Sequence, residues 1–208
     1  MCVLKWKYVI LLLVSFAFLS GPPAPVLGAE TGVIKGVLKT PWVKRSEGLV
    51  YIDRVEGKNF PPPTKPVFMG QKDMVFKPHV LPVLKGTKVD FTNNDAIVHN
   101  VFSPPGSAKK FNLGTYGVGV TKYETFNELG ENTLLCNVHP EMLGFIIVLQ
   151  NPYFGLTDKS GNFEIKDVPA GTYKLMAWHE KLQSVSQQVP VEPGKTVTVE
   201  FKDLKKRE

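Results

Sequence analysis

The stretch LLCNVHPEMLGFIIVLQ carries three side chains with soft donor atoms, Cys136, His139 and Met142, at three-residue intervals. A thiolate, an imidazole and a thioether suit copper or zinc, whereas calcium and magnesium prefer oxygen ligands. Copper gains most from this set. Two histidines and one cysteine in a trigonal arrangement, with a weak axial methionine, form a known type of electron-transfer site. The residue types therefore predict a copper site that needs one more histidine.

The second histidine has three candidates elsewhere in the chain, His79, His99 and His179. His99 lies in NNDAIVHNVFS, between two strand-like runs and well upstream of Cys136. We therefore expect His99 on a neighbouring loop of the same β-structure. His79 follows a proline at the start of a strand-like run, and His179 ends another, so we expect structural or surface roles for both.

The segment from Cys136 to Met142 must curl if its three donor side chains are to meet one ion. In an extended strand, residues three apart lie on opposite faces, about 10 Å from each other. Pro140 and Gly144 favour a turn, and the flanking runs NTLL and FIIV are strand-like. We predict a loop that strands hold at both ends and that contains a single helical turn at most, since Pro140 disfavours a longer helix.

The mature part of the chain predicts an all-β fold. Short runs rich in Val, Ile, Thr, Phe and Tyr are broken by Gly, Pro and Asn, and no long run has a helical period. TGVIKGVLKT and EGLVYIDRVEG are typical of strands, and the proline-rich KNFPPPTKP after them is a connection. Strand-like runs then recur at the spacing of a β-sandwich.

A second, smaller β-sandwich is predicted in the C-terminal part. NFEI, TYKLMAW and TVTVEF are typical of strands there, and residues 159–162 have the composition of a hairpin turn. About 55 residues supply too little core for a stable domain of their own. We therefore predict that residues 29–58 are the first strands of this sandwich, that residues 59–151 form an inserted domain, and that residues 152–208 form the remainder.

The N-terminus predicts export. Two lysines precede an apolar run from Tyr8 to Leu19 that is short for a membrane span, and small residues follow at Gly28 and Ala29. We interpret residues 1–28 as a signal peptide, which places the mature protein in the periplasm or outside the cell. Membrane association is expected only if this segment is retained.

Cleavage of that segment would leave Cys136 as the one cysteine of the mature chain. A lone thiol in an oxidising compartment is buried, paired with another chain or bound to something. The loss of Lys5 and Lys7 would lower the formal net charge from +6 to +4. This mild charge is too diffuse to indicate nucleic-acid binding, and we expect none.

The segments FKPHVLPVLKGTKVDFTNNDAIVHNVFS and LGENTLLCNVHPEMLGFIIV together resemble the cupredoxins, the plastocyanin-like blue copper proteins. The resemblance implies a Greek-key β-sandwich with one type 1 copper ion that cycles between Cu(I) and Cu(II). It also implies that Asn100 helps to lock the first ligand loop onto the second. The ligands that it implies are His99, Cys136, His139 and Met142.

Two features depart from the family pattern. The spacing C-x2-H-x2-M leaves fewer residues between His139 and Met142 than plastocyanin-like proteins usually have, and Asn137 stands where a small hydroxyl residue is common. The short spacing resembles the binuclear copper loop of terminal oxidases, but that loop needs a second cysteine. One copper ion is therefore the better interpretation. Glu141 stays an alternative oxygen donor to Met142, as in the red copper relatives.

The segment GNFEIKDVPAGTYKLMAWHE and the opening TGVIKGVLKT resemble the transthyretin-like, carboxypeptidase-regulatory type of β-sandwich. This resemblance fits the predicted insertion, because the opening strand and the C-terminal strands then belong to one sandwich. A shared fold of this kind says nothing about chemistry.

These features together predict an exported one-electron carrier with a redox protein as its partner. They do not predict an enzyme, because the sequence has no recognisable Ser-His-Asp arrangement, paired carboxylates or phosphate loop, and we expect no small-molecule substrate. Two alternatives stay open: a copper-binding or delivery module, and a red-copper-like protein with an open or carboxylate axial position. Lys109 and Lys110 are either a solvated pair or a docking site for an acidic partner.

Overall fold

The computed structural model describes residues 31–207. The predicted signal peptide, residues 1–28, lies outside the described residues. Apart from one 3₁₀ helix at Pro41–Lys44, every regular element within the described range is a β-strand, which confirms the all-β prediction. No helix in this range is long and apolar enough to cross a membrane.

One sandwich combines strands from both ends of the described chain, and we call it the outer sandwich. Its two sheets have the strand orders β14-β1-β17 and β13-β2-β15-β16. Apolar side chains from both sheets, such as Ile34, Ile52 and Leu175, pack between them. Its strands are β1 (Thr31–Leu38), β2 (Leu49–Ile52), β13 (Phe154–Leu156), β14 (Asn162–Pro169), β15 (Gly171–His179), β16 (Leu182–Val191) and β17 (Thr196–Phe201).

The N-terminal strands are integral to this sandwich. β1 lies between β14, to which it is antiparallel, and β17, to which it is parallel. β2 lies between β13 and β15, antiparallel to both. Strands from residues 31–52 thus complete sheets that are otherwise built from residues after 153. The exact boundaries of the inserted domain, residues 59 and 151, stay a prediction.

The strands between β2 and β13 build the other sandwich, which we call the inner sandwich. A five-stranded sheet, β6-β12-β11-β8-β9, faces a three-stranded sheet, β10-β7-β3, and a short hairpin joins β4 to β5. The strands are β3 (Val67–Phe68), β4 (Gly70–Lys72), β5 (Val75–Lys77), β6 (Val80–Leu84), β7 (Thr87–Thr92), β8 (His99–Ser103), β9 (Phe111–Tyr116), β10 (Thr121–Phe126), β11 (Gly130–Leu135) and β12 (Leu143–Leu149).

Strand β12 is buried on both faces. Its residues Ile146 and Val148 belong to the core of the inner sandwich. The alternate residues Phe145, Ile147 and Leu149 belong to a separate cluster with residues of both sandwiches, among them Trp178. We call this cluster the seam. Because successive side chains of a strand point to opposite faces, burial of both faces explains why FIIV is continuously apolar rather than alternating.

The structure corrects one prediction about turns. Residues 159–162 were expected to form a hairpin turn, and Asp158 Oδ1 does accept hydrogen bonds from Ser160 N (2.8 Å) and Asn162 N (2.9 Å). The strands on either side, however, lie in different sheets, because β13 pairs with β2 and β14 pairs with β1. The turn therefore carries the chain from one sheet to the other. Strand β9 and the β4–β5 hairpin were not predicted.

Candidate metal centre

Three predicted ligands meet at one end of the inner sandwich. His99 begins β8, Cys136 follows the last residue of β11, and His139 lies in the loop that leads to β12. Because β11 lies between β8 and β12 in the sheet, these segments reach the same edge. The candidate ligand atoms, one nitrogen from each histidine and the cysteine sulfur, all lie within 4.8 Å of one another.

The two histidines face each other through their Nδ1 atoms, which are 3.1 Å apart. Cys136 Sγ lies 4.0 Å from His139 Nδ1. His99 is 0% exposed and Cys136 is 4% exposed, whereas His139 is half-buried. A buried thiol thus faces two imidazole nitrogens, and one of the two rings reaches towards solvent.

The loop from Cys136 to Met142 curls as its composition indicated. The Met142 N–H donates to the carbonyl oxygen of His139 (3.0 Å), which closes a single turn. Pro140 and Glu141 are exposed on this turn. Met142 is 0% exposed and lies in the same core cluster as Cys136. Burial separates the two candidates for the fourth ligand, although the assignment of Met142 stays a prediction.

Gly144 allows β12 to start close to the rest of the inner sandwich. A Cβ atom at this position would lie 2.9 Å from Cβ of Phe76 on β5, which is shorter than real Cβ contacts. The next residue, Phe145, donates its N–H to the carbonyl oxygen of His79 (2.8 Å). The C-terminal end of the ligand loop is therefore fixed against two neighbouring segments.

Asn100 joins the two ligand segments. Its backbone N–H donates to Cys136 Sγ (3.4 Å), and its side-chain oxygen accepts from Asn137 N (3.4 Å). Its amide nitrogen donates to Asn112 Oδ1 (2.9 Å) on β9, which fixes the orientation of the side chain. These contacts are of the kind that the cupredoxin resemblance implied for Asn100.

Asn93 shapes the loop that precedes His99. Its Oδ1 accepts from the N–H of Asp95 (2.9 Å), and its Nδ2 donates to the carbonyl oxygens of Ile97 (2.8 Å) and Tyr116 (3.1 Å). An asparagine commonly holds a turn in this way, because its short amide side chain reaches the backbone two residues on. The side chain of Asn93 thus stabilises the turn that places His99 at the start of β8.

Asp95 contacts the imidazole nitrogen of His99 that faces away from Cys136, and sequence reasoning gave it no role. Its Oδ2 lies 2.8 Å from His99 Nε2. It also accepts the backbone N–H groups of Met74 (3.0 Å) and Asp73 (2.8 Å). These two bonds and His99 hold the pKa of Asp95 well below its usual range, against the effect of burial. A signal was present, since DAIVH places a carboxylate four residues before the histidine.

His79 and His179 lie outside the cluster. His79 Nε2 lies 3.2 Å from Glu180 Oε1, which belongs to the outer sandwich. Hydrogen bonding to Glu180 raises the pKa of His79, and the same contact lowers the pKa of Glu180 to about 2. His179 Nε2 lies 3.2 Å from the carbonyl oxygen of Ser46, and burial lowers the pKa of His179. Both histidines thus have structural contacts, and the partners Ser46 and Glu180 were not foreseen.

Lys109 does not form a solvated pair with Lys110. Its ammonium group donates to Glu124 Oε1 (2.6 Å) and to the carbonyl oxygen of Thr125 (2.7 Å). Lys110 is exposed. Because Glu124 already neutralises Lys109, the pair offers a partner less positive charge than the sequence suggested.

The residues at this site fit copper. A thiol, two imidazoles and a nearby buried thioether are the soft donor set that copper prefers. The cysteine sulfur accepts a backbone N–H, and the second nitrogen of His99 has a carboxylate partner. Such outer contacts orient the ligands of metal sites and tune the metal.

Comparison with known families gives two matches. Residues 65–149 match the family of copper binding proteins described as plastocyanin/azurin, and residues 147–203 match the carboxypeptidase regulatory-like domain. Comparison with the curated proteins gave no match.

Solved structures with local similarity include a mutant amicyanin in its reduced Cu(I) form. It is 23% identical, with a TM-score of 0.39, and the match covers 42% of this chain and 91% of that chain. A purple cupredoxin from Nitrosopumilus maritimus is 25% identical, with a TM-score of 0.36, and the match covers 39% of this chain and 98% of that one. The two family matches therefore show what these segments are similar to: residues 65–149 are similar to the copper binding proteins of the plastocyanin/azurin family, and residues 147–203 to the carboxypeptidase regulatory-like domain.

Proposed function

We propose that the protein is an exported one-electron carrier with a type 1 copper site formed by His99, Cys136, His139 and Met142. The observation that carries this proposal is the convergence of two imidazole nitrogens and one thiol within 4.8 Å at the edge of a buried core. Copper supplies the redox chemistry when bound, since it exchanges one electron between Cu(I) and Cu(II).

The protein framework supports rapid electron exchange because it holds the ligands rigidly. β8, β11 and β12 lie side by side in one sheet, and hydrogen bonds through Asn100 tie the first ligand segment to the second. A site of this kind changes its geometry little between oxidation states. Little energy is therefore spent on moving ligands during transfer.

Met142 would be the better candidate for the fourth ligand of a bound copper ion. Its side chain is fully buried in the core that contains Cys136, whereas Glu141 is exposed on the outer side of the loop. A buried thioether is a weak, neutral ligand that suits both oxidation states. The burial difference thus favours an electron carrier over a red-copper-like site with a carboxylate axial ligand.

His139 is the most accessible of the ligands, and it marks the proposed exit for electrons. The neighbouring Val138 is 40% exposed, and Ile97 and Val98, next to His99, are 44% and 48% exposed. Exposed apolar side chains next in the chain to both histidine ligands suit close contact with a redox protein partner. The carrier is proposed to work in the periplasm or outside the cell, after removal of residues 1–28.

A hydrolytic role for Ser46, which lies beside His179, has no support in the hydrogen bonds. The Nδ1 atom of His179 accepts the backbone N–H of Lys181 (3.1 Å), so the ring proton resides on Nε2, which faces the Ser46 carbonyl oxygen. A nitrogen that carries a proton cannot act as a base towards the Ser46 hydroxyl. That hydroxyl donates to Glu180 Oε1 (2.5 Å) instead.

The visible and EPR spectra of the mature protein loaded with Cu(II) test the proposal. A type 1 site gives an intense thiolate-to-copper absorption band and narrow hyperfine splitting, and we expect both. The matched variant Cys136→Ser should lose the band. If the parent protein binds copper without this band, the type 1 assignment is wrong; tight Cu(I) binding without a reversible potential would indicate a delivery module.

A further inference from the structure

Asp95 lies where the first ligand meets the β4–β5 hairpin. It is only 7% exposed, and both of its carboxylate oxygens are used. Oδ1 accepts the N–H of Asp73 (2.8 Å), and Oδ2 accepts the N–H of Met74 (3.0 Å) and faces His99 Nε2 (2.8 Å). The single nearby cation, within the described residues, is Lys72, whose Nζ lies 3.6 Å from Oδ1. The carboxylate is thus fixed in place before any metal binds.

The hairpin turn that holds Asp95 has an unusual backbone. Asp73 and Met74 have φ values of 59° and 58°, in the left-handed region that residues other than glycine seldom adopt. Such a conformation persists only where the surroundings compensate for it. The compensation here is visible, because this backbone directs two successive N–H groups at one carboxylate.

The contact determines which nitrogen of His99 carries a proton. An ionised carboxylate only accepts hydrogen bonds, so His99 Nε2 must be the donor. In a neutral ring, Nδ1 then has a free lone pair, and this is the atom that faces Cys136 and His139. Because the two Nδ1 atoms are 3.1 Å apart, His139 Nδ1–H is then the donor of this contact in the metal-free protein. A copper ion held by both Nδ1 atoms would require the ring proton of His139 on Nε2 instead.

We infer that Asp95 is a positioning residue of the copper site: it holds His99 with Nδ1 towards the metal, and its negative charge favours Cu(II) over Cu(I). This inference rests on the proposed function. A carboxylate behind a metal-bound histidine raises the basicity of the ligand nitrogen and fixes the ring orientation. The alternative is that Asp95 only anchors the hairpin, with no effect on the ligand.

The first test uses the metal-free parent protein. Long-range ¹H–¹⁵N correlations of the histidine rings, recorded at about pH 8 where an ordinary imidazole is neutral, distinguish the two tautomers. The signals of His99 are assigned by their loss in His99→Gln. We expect the Nε2–H tautomer, with slow exchange of that proton. An Nδ1–H tautomer would overturn the inference.

The second test compares reduction potentials. Asp95→Asn keeps the shape and an oxygen acceptor but removes the charge, so we expect the equilibrium constant for reduction to rise about tenfold, or about 59 mV for one electron. The control is Asp90→Asn, since Asp90 on β7 is also largely buried, with its Oδ1 lying 3.7 Å from Lys88 Nζ. Equal shifts in the two variants would overturn a role for Asp95 in tuning the potential.

Two further results separate the possible failures. Asp73→Gly keeps the N–H donor to Asp95 and lowers the steric cost of the left-handed backbone. If Asp95 only anchors the hairpin, this variant should be more stable than the parent and should have an unchanged potential. A purely anchoring role also predicts that Asp95→Asn changes the His99 tautomer only if the hairpin detaches. If Asp95→Asn does not fold, the tautomer of His99 in the metal-free parent protein decides whether Asp95 orients this ring. If the parent gives no type 1 spectrum, the proposed function fails, and the tautomer still shows whether Asp95 orients His99.

Discussion

Two histidine–carboxylate pairs lie within residues 31–207, and they have different roles. Asp95 lies in the loop before β8, and His99 is the first residue of that strand, four residues on. The second nitrogen of His99 faces another histidine and a thiol. His79 and Glu180 are separated by 101 residues and connect the two sandwiches. Glu180 and a backbone hydrogen bond at Leu143 both favour the protonated ring of His79. A histidine beside a carboxylate becomes a candidate ligand only where its other nitrogen meets further donors.

The seam around the second pair should contribute more stability than the pair itself. Trp178 is nearly fully buried, and its ring lies 5.2 Å from that of Phe145 between centroids. We expect Trp178→Ala to lower the free energy of unfolding by about 3–5 kcal/mol, as is usual for a large buried aromatic residue. Urea denaturation measures the loss, with the half-buried Trp42 as a control, replaced by Ala. A loss no larger than that for Trp42→Ala would show that the seam is weak.

Replacement of each histidine in turn with alanine tests the comparison of the two pairs directly. Replacement of His99 with Ala removes a proposed ligand, so we expect Cu(I) affinity to fall by more than the 10–100-fold typical of outer contacts. His79→Ala should leave it within about twofold, because His79 makes no contact with the ligand atoms. Competition with a chromophoric chelator measures both. A similar loss in the two variants would mean that the pairs do not differ in kind.

The smallest expected effect is a pH dependence at the seam. The folded-state pKa of His79 lies above its usual value of 6.5, and the pKa of Glu180 is about 2, so Glu180 stays ionised near neutrality. The stabilisation by the pair is therefore complete below about pH 6.5 and is lost as the pH rises through the raised pKa. His79 is 30% exposed, which limits the effect to about 1 kcal/mol or less.

Urea denaturation of the parent and of His79→Gln at about pH 5.5 and about pH 8.5 measures this effect. The difference in free energy of unfolding should shrink at the higher pH. Lys35→Gln is the control, since it breaks an exposed ion pair that contains no histidine, that of Lys35 with Glu164 (3.1 Å). A difference that grows with pH would contradict the assignment.

Short-range chemistry was readable from the sequence, whereas individual side-chain contacts between distant residues outside the ligand cluster were not. The spacing of Cys136, His139 and Met142, with Pro140 between them, was enough to predict a curled loop between strands. The partner of His79 was not predictable, because Glu180 is distant in the chain and belongs to another sandwich. The turn at residues 159–162 shows the same limit, since its composition predicts a turn and does not reveal which sheets its flanking strands join.

Asp95 is an intermediate case. Asp95 lies only four residues before His99 in the sequence, within DAIVH. Its fixed position, however, depends on the β4–β5 hairpin, which supplies two backbone N–H donors from residues 73 and 74. Strand β9 was missed because Asn112 and Gly114 interrupt its apolar pattern. Residues that are typical of turns thus made two features hard to predict: strand β9 and the contact between Asp95 and His99.

Strand β12 has a practical consequence for anyone who wishes to study the copper domain alone. A fragment of residues 59–151 would expose Phe145, Ile147 and Leu149, because their cover in the seam comes partly from the outer sandwich. This exposed apolar surface should promote association, and we expect the fragment to self-associate at low concentration. Polar replacements at those three positions would leave the other side of β12, which packs in the core of the inner sandwich, unchanged. These replacements would make the seam side of β12 suitable for contact with solvent.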